Sequence, residues 1–405
     1  MQGLPTTERQ PSYAWAVMGN LWAMDVVNVM VFMSIGVLIP IWKDDMGMTP
    51  LQAGLMGSAG FLGFGLMALP ASIWLTKYNP RLVTFVCAFS MAGVILVHAV
   101  APNVVVLLIA RLAFVLLAVS RIQMQIIFIQ QWFQPRLYAL VNGLDFSNRS
   151  MGQMIGIAAT PALVVMLGGW RATYVLIAVV MATVSLVWLV IGKQRHRSQQ
   201  DGGPTSQKGN PIGVLRREKV LWIVAGCQLG AAVTFASFMT FYPTYAMDHL
   251  NISLTKVGLL MAAFPVGGML GSLSSGTLSQ RIGRRKPFIW VPGLFLPAFW
   301  FGLLLVNSVP LSMLLLLGAG ICAMAVPPIL STIPMDMKLA PREVAVALGL
   351  MRTLFPLGAT MGPMLVGTIQ ESTGSLFLGL SVVTPLAFTL LVGGKLLPET
   401  GTRGR

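Results

Sequence analysis

Charged side chains in the middle of apolar segments are the residues of this sequence that could do chemistry. Six of them interrupt long apolar runs, namely Asp25, Arg111, Arg121, Asp145, Arg149 and Arg352. On insertion scales, each such residue costs about 2.5–3.5 kcal/mol at the centre of a membrane helix. They are tolerated where they pair with one another, line water or bind a ligand, so they mark a candidate functional site.

The arginines predict that this site binds an anion. A guanidinium group holds a carboxylate or phosphate through two parallel hydrogen bonds and stays charged when it is buried. The six residues carry four positive and two negative charges, and this surplus favours a negatively charged ligand. Arg121, Arg149 and Arg352 are therefore candidate substrate ligands. Asp25 and Asp145 are candidate proton-coupling residues, because burial favours the protonated form of a carboxyl group.

Pairing of opposite charges is the alternative to a ligand site. Asp145 and Arg149 are four residues apart and can neutralise each other on one helix. Asp25 and Arg121 can form a structural pair between two helices. For Arg352 the sequence offers no acidic partner at the same depth, so a purely structural role explains this residue least well.

Neutral side chains in the same segments could complete a polar site. Asn28, Gln123, Gln125 and Asn148 can donate and accept hydrogen bonds, although buried amides also serve helix packing. Tyr242 is a further candidate ligand. It belongs to a group that could wall a cavity, pack in a core or face lipid, formed by Phe235, Phe238, Phe241, Tyr242 and Tyr245.

Neither a catalytic centre nor a metal site is indicated. Cys87, Cys227 and Cys322 are isolated within apolar segments, and the three histidines are scattered. This spacing fits no disulfide framework and no zinc motif. Without a nucleophile–base pair we do not expect an enzyme, and we expect no cofactor.

The elements that must position these residues are predicted to be membrane helices. Of the 405 residues, 56% are apolar and 10% are charged, whereas soluble proteins carry roughly 25% charged residues. A helix needs about 20 apolar residues to cross the hydrocarbon core. Twelve such spans are predicted, near residues 13–42, 51–76, 81–101, 104–131, 138–167, 172–192, 220–247, 255–279, 287–306, 309–335, 344–370 and 374–396. The expected fold class is an all-α membrane protein.

A polar stretch divides the predicted spans into two sets of six. Residues 193–219 carry seven Lys or Arg and two acids, which predicts a solvated linker between an N-terminal bundle (1–192) and a C-terminal bundle (220–405). Twenty Lys or Arg fall on the side of the linker and both termini, and three on the other side. This bias predicts that linker and termini are cytoplasmic, in a plasma or bacterial inner membrane. The net charge of +15 lies in these loops, so nucleic acid is not an expected partner.

The two sets of spans are related by an internal repeat. A shift of 206 residues aligns Pro135-Arg136 with Pro341-Arg342, and it aligns Gly143, Gly152, Gly156 and Gly168 with Gly349, Gly358, Gly362 and Gly374. A shift of 204 residues places Gly54, Gly63, Lys77 and Arg81 over Gly258, Gly267, Arg281 and Arg285. Two parallel halves with a binding site between them are a common transporter arrangement.

A short motif gives the chain a family resemblance. Residues 276–286, GTLSQRIGRRK, are similar to the GxxxDRxGRR loop of the major facilitator superfamily, with Gln280 in place of the usual acid. Arg111 opens a stretch that resembles the family's RxxxGxGxG motif, although Val115, Leu117 and Val119 replace its glycines. The ending Pro398-Glu399-Thr400 resembles the PET sequence that follows the last helix in some members.

The resemblance implies a secondary transporter that works by alternating access between two pseudo-symmetric six-helix bundles. In this family helices one, four, seven and ten line the cavity, with two, five, eight and eleven beside them. The resemblance also implies conformational gating by Arg111 and by the motif residues Gly276, Gln280, Arg281, Gly283, Arg284 and Arg285. An arginine in the fourth helix with an aspartate in the first resembles organic-anion symporters, and a basic residue in the eleventh resembles oxalate–formate exchangers.

Two functions are compatible with these residues. The first is proton-coupled symport or exchange of a small organic anion by a monomer in the lipid bilayer, with protonation of Asp25 freeing Arg121 for the substrate. The alternative is a proton-driven multidrug or lipophilic-cation exporter that uses Asp25 and Asp145 as acidic sites. The surplus of positive charge among the six residues favours the first function.

Overall fold

Helices make up nearly all of the described chain. The computed structural model describes residues 12–74, 78–134, 137–194, 213–337, 339 and 341–400. Three residues of the internal repeat lie outside this part, namely Lys77, Pro135 and Arg136, as do most of the predicted linker and some of the basic residues counted on its side.

The first half contains seven helices that form six spans. The first span consists of α1 (Ser12–Met33) and α2 (Ile35–Met46), which meet at Ser34. The next five spans are α3 (Pro50–Trp74), α4 (Pro80–Ala99), α5 (Val104–Trp132), α6 (Tyr138–Met166) and α7 (Trp170–Ile191). The first span is therefore interrupted, where the sequence predicted one continuous helix.

The second half repeats this arrangement. A short helix, α8 (Val214–Arg217), precedes α9 (Lys219–Leu250), α10 (Leu254–Ile282), α11 (Pro287–Leu305), α12 (Val309–Asp336) and α13 (Pro341–Thr373). The last span consists of α14 (Leu376–Val383), a 3₁₀ turn (Thr384–Phe388) and α15 (Thr389–Leu396). Pro385 interrupts this span, because proline has no backbone N–H to donate to the helix.

The predicted count of twelve spans is confirmed. Among the described residues, nine helical stretches are long and apolar enough to cross a membrane. The remaining three spans are α3, α6 and α13, with 25, 29 and 33 residues. Each is longer than the about 20 residues that a span needs.

Local turn and capping residues lie at the helix ends. Asn103 begins α5, where its side-chain oxygen accepts a hydrogen bond from the backbone N–H of Val106 at 3.0 Å. Gly283 ends α10 with a φ of 72°, a left-handed conformation that favours glycine. These local signals explain why the loops between spans are short.

Equivalent helix pairs pack together in the two halves. In the first half α1 packs on α6, α3 and α4 pack on α5, and α4 packs on α7. In the second half α9 packs on α13, α10 and α11 pack on α12, and α11 packs on α15. The four pairs correspond one to one, so the structure contains the pseudo-symmetric six-helix bundles that the repeat predicts.

The two halves meet at one end of the spans. We call the end that carries the linker the linker side and the opposite end, with the turns at Gly47, Gly169 and Gly374, the far side. The contacts between halves join α2 to α9, α3 to α13 and α6 to α10. On the far side the backbone N–H of Leu51, in the first turn of α3, donates to Glu371 Oε2 at 2.9 Å, and Ser58 Oγ donates to the Thr360 carbonyl at 2.6 Å.

The halves separate toward the linker side. Along α3 and α13, close packing runs from Gly54 against Pro363 to Gly65 against Pro356. About one turn beyond Pro356, Arg352 is exposed, and Pro70 of α3 is exposed as well. The structure is therefore closed on the far side and open on the linker side.

An exposed ion pair connects α2 and α7 at the far side. Arg171 Nη1 donates to Asp45 Oδ2 at 2.5 Å, and Trp170 Nε1 donates to the same oxygen at 3.0 Å. The hydrogen bond from Arg171 and then that from Trp170 lower the pKa of the Asp45 carboxyl below its ordinary value. A lowered pKa means that the stabilisation is present at neutral pH and is lost as the pH falls through the folded-state pKa.

Gly54→Ala should open the far side. A methyl group on Gly54 would collide with the backbone carbonyl oxygen of Pro363, which cannot turn away as a side chain can. Overpacking of this kind costs about 1–3 kcal/mol, and here the halves can relieve it by separating. We expect the distance between spin labels at Asp44 and Asp248, which are exposed on opposite halves, to shift to longer values in pulsed spin-resonance measurements.

Gly93→Ala in α4 is the matched control, because a methyl group there meets nothing within 4 Å. It should leave the label distances unchanged. Equal distance distributions in Gly54→Ala and the unsubstituted protein would contradict the packing described for the far side.

Candidate functional site

A completely buried ion pair joins α1 to α5 in the first half. Arg121 Nη2 donates to Asp25 Oδ1, and the two side chains are 0% and 1% exposed. Removing one partner of a buried pair costs about 3–5 kcal/mol, because the other charge is left without a partner. In this conformation the Arg121 side chain is therefore occupied by Asp25.

A second ion pair lies on α6 and is partly open to solvent. Arg149 Nη2 is 3.1 Å from Asp145 Oδ2, Arg149 Nε donates to the same oxygen at 3.2 Å, and the side chains are 31% and 15% exposed. This is the spacing of four residues that the sequence predicts to pair. Exposed ion pairs contribute about 0–1 kcal/mol, so Arg149 can exchange Asp145 for another anion at little cost.

Gln125 joins the two pairs into one network. Its Oε1 accepts a hydrogen bond from Arg121 Nη1 at 3.2 Å, and its Nε2 donates to Asp25 Oδ2 at 2.8 Å and to Asp145 Oδ1 at 2.5 Å. The network holds two arginines and two aspartates, so its formal charge is zero. All of its members belong to α1, α5 and α6 of the first half.

Arg352 stands apart from this network in α13 of the second half. Within the described part of the chain it has no ion pair and no hydrogen bond, and its side chain is exposed. At about 100° per residue, Arg352 lies within ~40° of Pro356 and Pro363, which pack against α3 of the other half. Its exposure therefore results from the opening between the halves rather than from a lipid-facing position.

Arg149 faces the same opening from the first half. One face of α6 packs against α1, where Gly156 contacts Met30. Another face packs against α10, where Ile157 contacts Gly258. Arg149 lies between these two faces. Each half thus contributes one arginine with an exposed or partly exposed side chain, at ~16 Å from the linker-side end of its own helix.

An aromatic layer closes the opening toward the far side. Phe61 of α3 lies 5.3 Å from Phe32 and 6.4 Å from Phe235 between ring centroids, and Phe235 lies 6.3 Å from Phe355. The layer therefore draws rings from both halves. Phe355 is one turn from Arg352 on the same helix. The layer therefore bounds, on the far side, the opening that Arg149 and Arg352 face.

Arg111 holds the break in the first span. Its guanidinium donates to the carbonyl oxygens of Phe32 at 3.0 Å and Val31 at 3.4 Å, and it lies 4.6 Å from the centroid of the Phe32 ring. These carbonyls end α1, and a cation is favourable at the negative end of a helix. Arg111 also lines a cavity of about 30 Å³ between the halves, which offers room for about two waters.

The neutral residues that the sequence predicted for the site do not all lie in the network of the two ion pairs. Asn148 Nδ2 donates to the Trp22 carbonyl at 3.0 Å, and Asn28 is buried in α1. Gln123, two residues from Arg121, lies ~200° around α5, on the side that carries exposed Ile109. Tyr242 is buried beside Phe238, at 6.2 Å between ring centroids. Gln125, rather than Gln123, is thus the glutamine of the network, and its spacing of four residues from Arg121 is the sequence signal for it.

The basic motif ties together linker-side ends of the second half. Arg285 Nε donates to Asp336 Oδ2 at 3.2 Å and Arg285 Nη1 donates to Ser279 Oγ at 2.5 Å, which joins α10 to α12. Glu399 accepts from the backbone N–H of Arg285 at 2.7 Å, next to the start of α11. The remaining motif residues lie at the end of α10 or just after it, and Gln280, Arg281 and Arg284 are exposed there, with Gly276 one turn before them.

Comparison with curated proteins finds relatives of low identity. The chain is 21% identical to a probable sulfoacetate transporter of Cupriavidus necator over 89% of this chain and 88% of that protein. It is 20% identical to a hexuronate transporter of Bacillus subtilis over 65% of this chain and 64% of that protein, so this match spans less than two thirds of the relative.

Solved structures of the same fold are also found. A bacterial homologue of the human lysosomal transporter Spinster, in an inward-facing and unoccupied conformation, superposes with a TM-score of 0.81. The superposition covers 96% of this chain and 95% of that one at 16% identity, and it therefore establishes the fold alone.

A family profile covers almost the whole chain. The profile of the Major Facilitator Superfamily matches residues 21–249 and again residues 224–404. The two matches together extend over both six-helix halves, as the internal repeat requires. The chain is therefore a multi-pass membrane transporter of small molecules that belongs to the Major Facilitator Superfamily.

Proposed function

We propose that this transporter is a secondary active carrier of a small organic anion, a carboxylate in the simplest case, and that it couples transport to protons. The observation that carries the proposal is Arg352, a cation within a membrane span that has no counter-ion among the described residues and faces the opening between the halves. Water can solvate this guanidinium while the opening exists, but enclosing it without a counter-ion would be costly, and an anionic substrate would remove that cost.

Two arginines on opposite halves suit such a substrate. A carboxylate that binds Arg352 of α13 can also bind Arg149 of α6, which gives up its weak, partly exposed pair with Asp145. Protonation of Asp25 would free Arg121 as a further ligand. Because the arginines lie on different halves, the substrate draws α6 and α13 together and favours closure over the site.

The relatives support an anionic substrate. Hexuronate and sulfoacetate, named for two of the relatives, are both carboxylates. The alternative of a cation exporter requires a free carboxylate in the site. In the structure Asp25 and Asp145 are both paired with arginines, so neither offers an open acidic site in this conformation.

The orientation and assembly are part of the proposal. The excess of Lys and Arg on the linker side, twenty against three, supports a cytoplasmic linker and cytoplasmic termini in a plasma or bacterial inner membrane. The open side would then face the cytoplasm. We propose a monomer composed of bundles 1–192 and 220–405, with lipid around it and the proton as its coupling partner.

Arg352→Gln should weaken binding of a carboxylate about 10- to 100-fold, since a hydrogen bond to a charged group contributes about 1.5–3 kcal/mol. Binding is measured as the thermal shift of purified protein with glucuronate, sulfoacetate or glucose, because a ligand stabilises the folded state by mass action. Glucose lacks the carboxylate of glucuronate and should give no shift. Uptake of the same compounds into proteoliposomes should fall in parallel.

Arg216→Gln is the control for this substitution. Arg216 is an exposed arginine on the short helix α8, outside the predicted spans. This variant should keep the binding and uptake of the unsubstituted protein. Full carboxylate binding by Arg352→Gln, or an equal loss in both variants, would remove the basis of the anion site.

The two aspartates should differ in their effect on stability. Asp25→Asn leaves the Arg121 charge buried without a counter-ion and should cost about 3–5 kcal/mol. Asp145→Asn breaks a partly exposed pair and should cost about 1 kcal/mol or less. Thermal unfolding of the purified variants in detergent checks this order, and equal melting temperatures would contradict the burial described for the first pair.

A further inference from the structure

The neighbours of Gln125 determine which way its side-chain amide group points. Its carboxamide offers one acceptor oxygen and two N–H donors. The oxygen faces Arg121, which can only donate, and the nitrogen faces Asp25 and Asp145 at 2.8 and 2.5 Å. Ionised carboxylates can only accept hydrogen bonds. In the observed network both aspartates present an acceptor oxygen to Gln125, and a proton on either of these two oxygens, Asp25 Oδ2 or Asp145 Oδ1, would turn that acceptor into a donor.

The two aspartates differ in their access to solvent. The Asp25 side chain is 1% exposed and lies behind Arg121, whereas Asp145 is 15% exposed and shares the opening with Arg149. A proton from the linker side therefore meets Asp145 first. Gln125, itself buried, is the side chain in contact with both aspartates.

We propose that Gln125 links the two ion pairs into a relay, in which Asp145 receives the coupling proton and the amide transmits its arrival to Asp25 and Arg121. The proposal rests on the proton-coupled anion transport proposed above. It makes Gln125 a positioning residue, and it places the entry of the proton at Asp145 rather than at Asp25.

The relay follows from the hydrogen-bonding capacity of each group. Asp145 Oδ2 already accepts from Arg149, so in the proposed relay a proton from water binds Asp145 Oδ1, and the resulting carboxylic acid becomes a donor toward Gln125. The amide can accept this bond only by turning its oxygen toward Asp145. The turn removes the acceptor of Arg121 Nη1 and one donor of Asp25, so the buried pair loses two supporting hydrogen bonds.

The same proton releases Arg149. Neutral Asp145 no longer attracts the guanidinium, which becomes available to a carboxylate in the opening between the halves. One protonation event thus prepares an anion ligand at the surface of the opening and loosens the contact between α1 and α5. This order, proton first and anion second, is compatible with symport.

The surroundings add no competing charge. The charged groups that face the two carboxylates are Arg121 of α5 and Arg149 of α6. From α4, the Cys87 thiol lies within electrostatic reach of Arg121. In the described parts of α3, α7 and α10, which pack against these helices, no ionisable side chain lies at this depth.

The test separates exchange from coupled accumulation in proteoliposomes with labelled glucuronate and sulfoacetate. The unsubstituted protein should accumulate the anion up to about tenfold per unit of pH difference, if one proton accompanies it. Gln125→Leu should keep anion exchange at equal pH within threefold but accumulate the anion less than twofold. A merely structural role for Gln125 would reduce exchange and accumulation together.

Proton uptake gives a second readout that does not depend on transport. On addition of the anion to purified protein in weak buffer with a pH indicator, the unsubstituted protein should take up protons. Gln125→Leu should still do so, because Asp145 remains, whereas Asp145→Asn should not. Gln153→Leu is the control, since this glutamine of α6 donates a weak hydrogen bond to the Met33 sulfur, at 3.7 Å, and takes no part in the network of the two ion pairs.

Each failure has a distinct meaning. If the unsubstituted protein exchanges neither carboxylate, the proposed function falls and the relay falls with it. If it exchanges them and Gln125→Leu accumulates them equally well, the relay alone is wrong. Proton uptake by Asp145→Asn equal to that of the unsubstituted protein would overturn Asp145 as the entry point.

Discussion

A guanidinium group within a membrane span needs a partner, and this constraint organises the site. The chain meets it in three ways. Arg121 is neutralised by a buried aspartate, Arg149 by a partly exposed one, and Arg111 by the carbonyl oxygens that end α1 together with the face of Phe32. For Arg352 the described chain offers none of these. In the proposed mechanism, Arg352 is therefore the arginine whose charge a bound anion would neutralise.

The repeated architecture makes this asymmetry informative. The helix pairs of the two halves correspond, and glycines allow close packing in both, as Gly54 does against Pro363 and Gly258 against Ile157. The charges do not repeat. The neutral network of two aspartates and two arginines belongs to the first half, and among the described residues of the second half we assign Arg352 to the opening. The repeat thus accounts for the matching helix packing of the two halves. The charges that do not repeat are the ones on which the proposed anion site depends.

The sequence predicts the helices better than the contacts of the site, because helix positions follow from local signals whereas most of those contacts depend on how the helices pack. Span positions follow from about 20 apolar residues each, and helix ends follow from local groups such as the Asn103 cap, so both are readable along the chain. The pairing of Asp145 with Arg149 is also local. The break at Ser34 and the backbone partners of Arg111 have no such signature, since carbonyl groups are common to all residues. The bridge by Gln125 depends on how α5 is rotated against α1 and α6, which is a property of the packed bundle.

The same constraint is the reason why the proposed site spans both halves. A carboxylate held by Arg121 and Arg149 alone would stay with the first half, and its binding would not alter the contact between halves. In the proposed mechanism the anion lies between Arg149 and Arg352, so neutralising the unpaired charge and joining the halves are one event. The aromatic layer of Phe61, Phe235 and Phe355 already closes the far side of this space. Closure on the linker side around a neutralised Arg352 then avoids the cost of enclosing a lone cation, and this cost links substrate binding to the change in access.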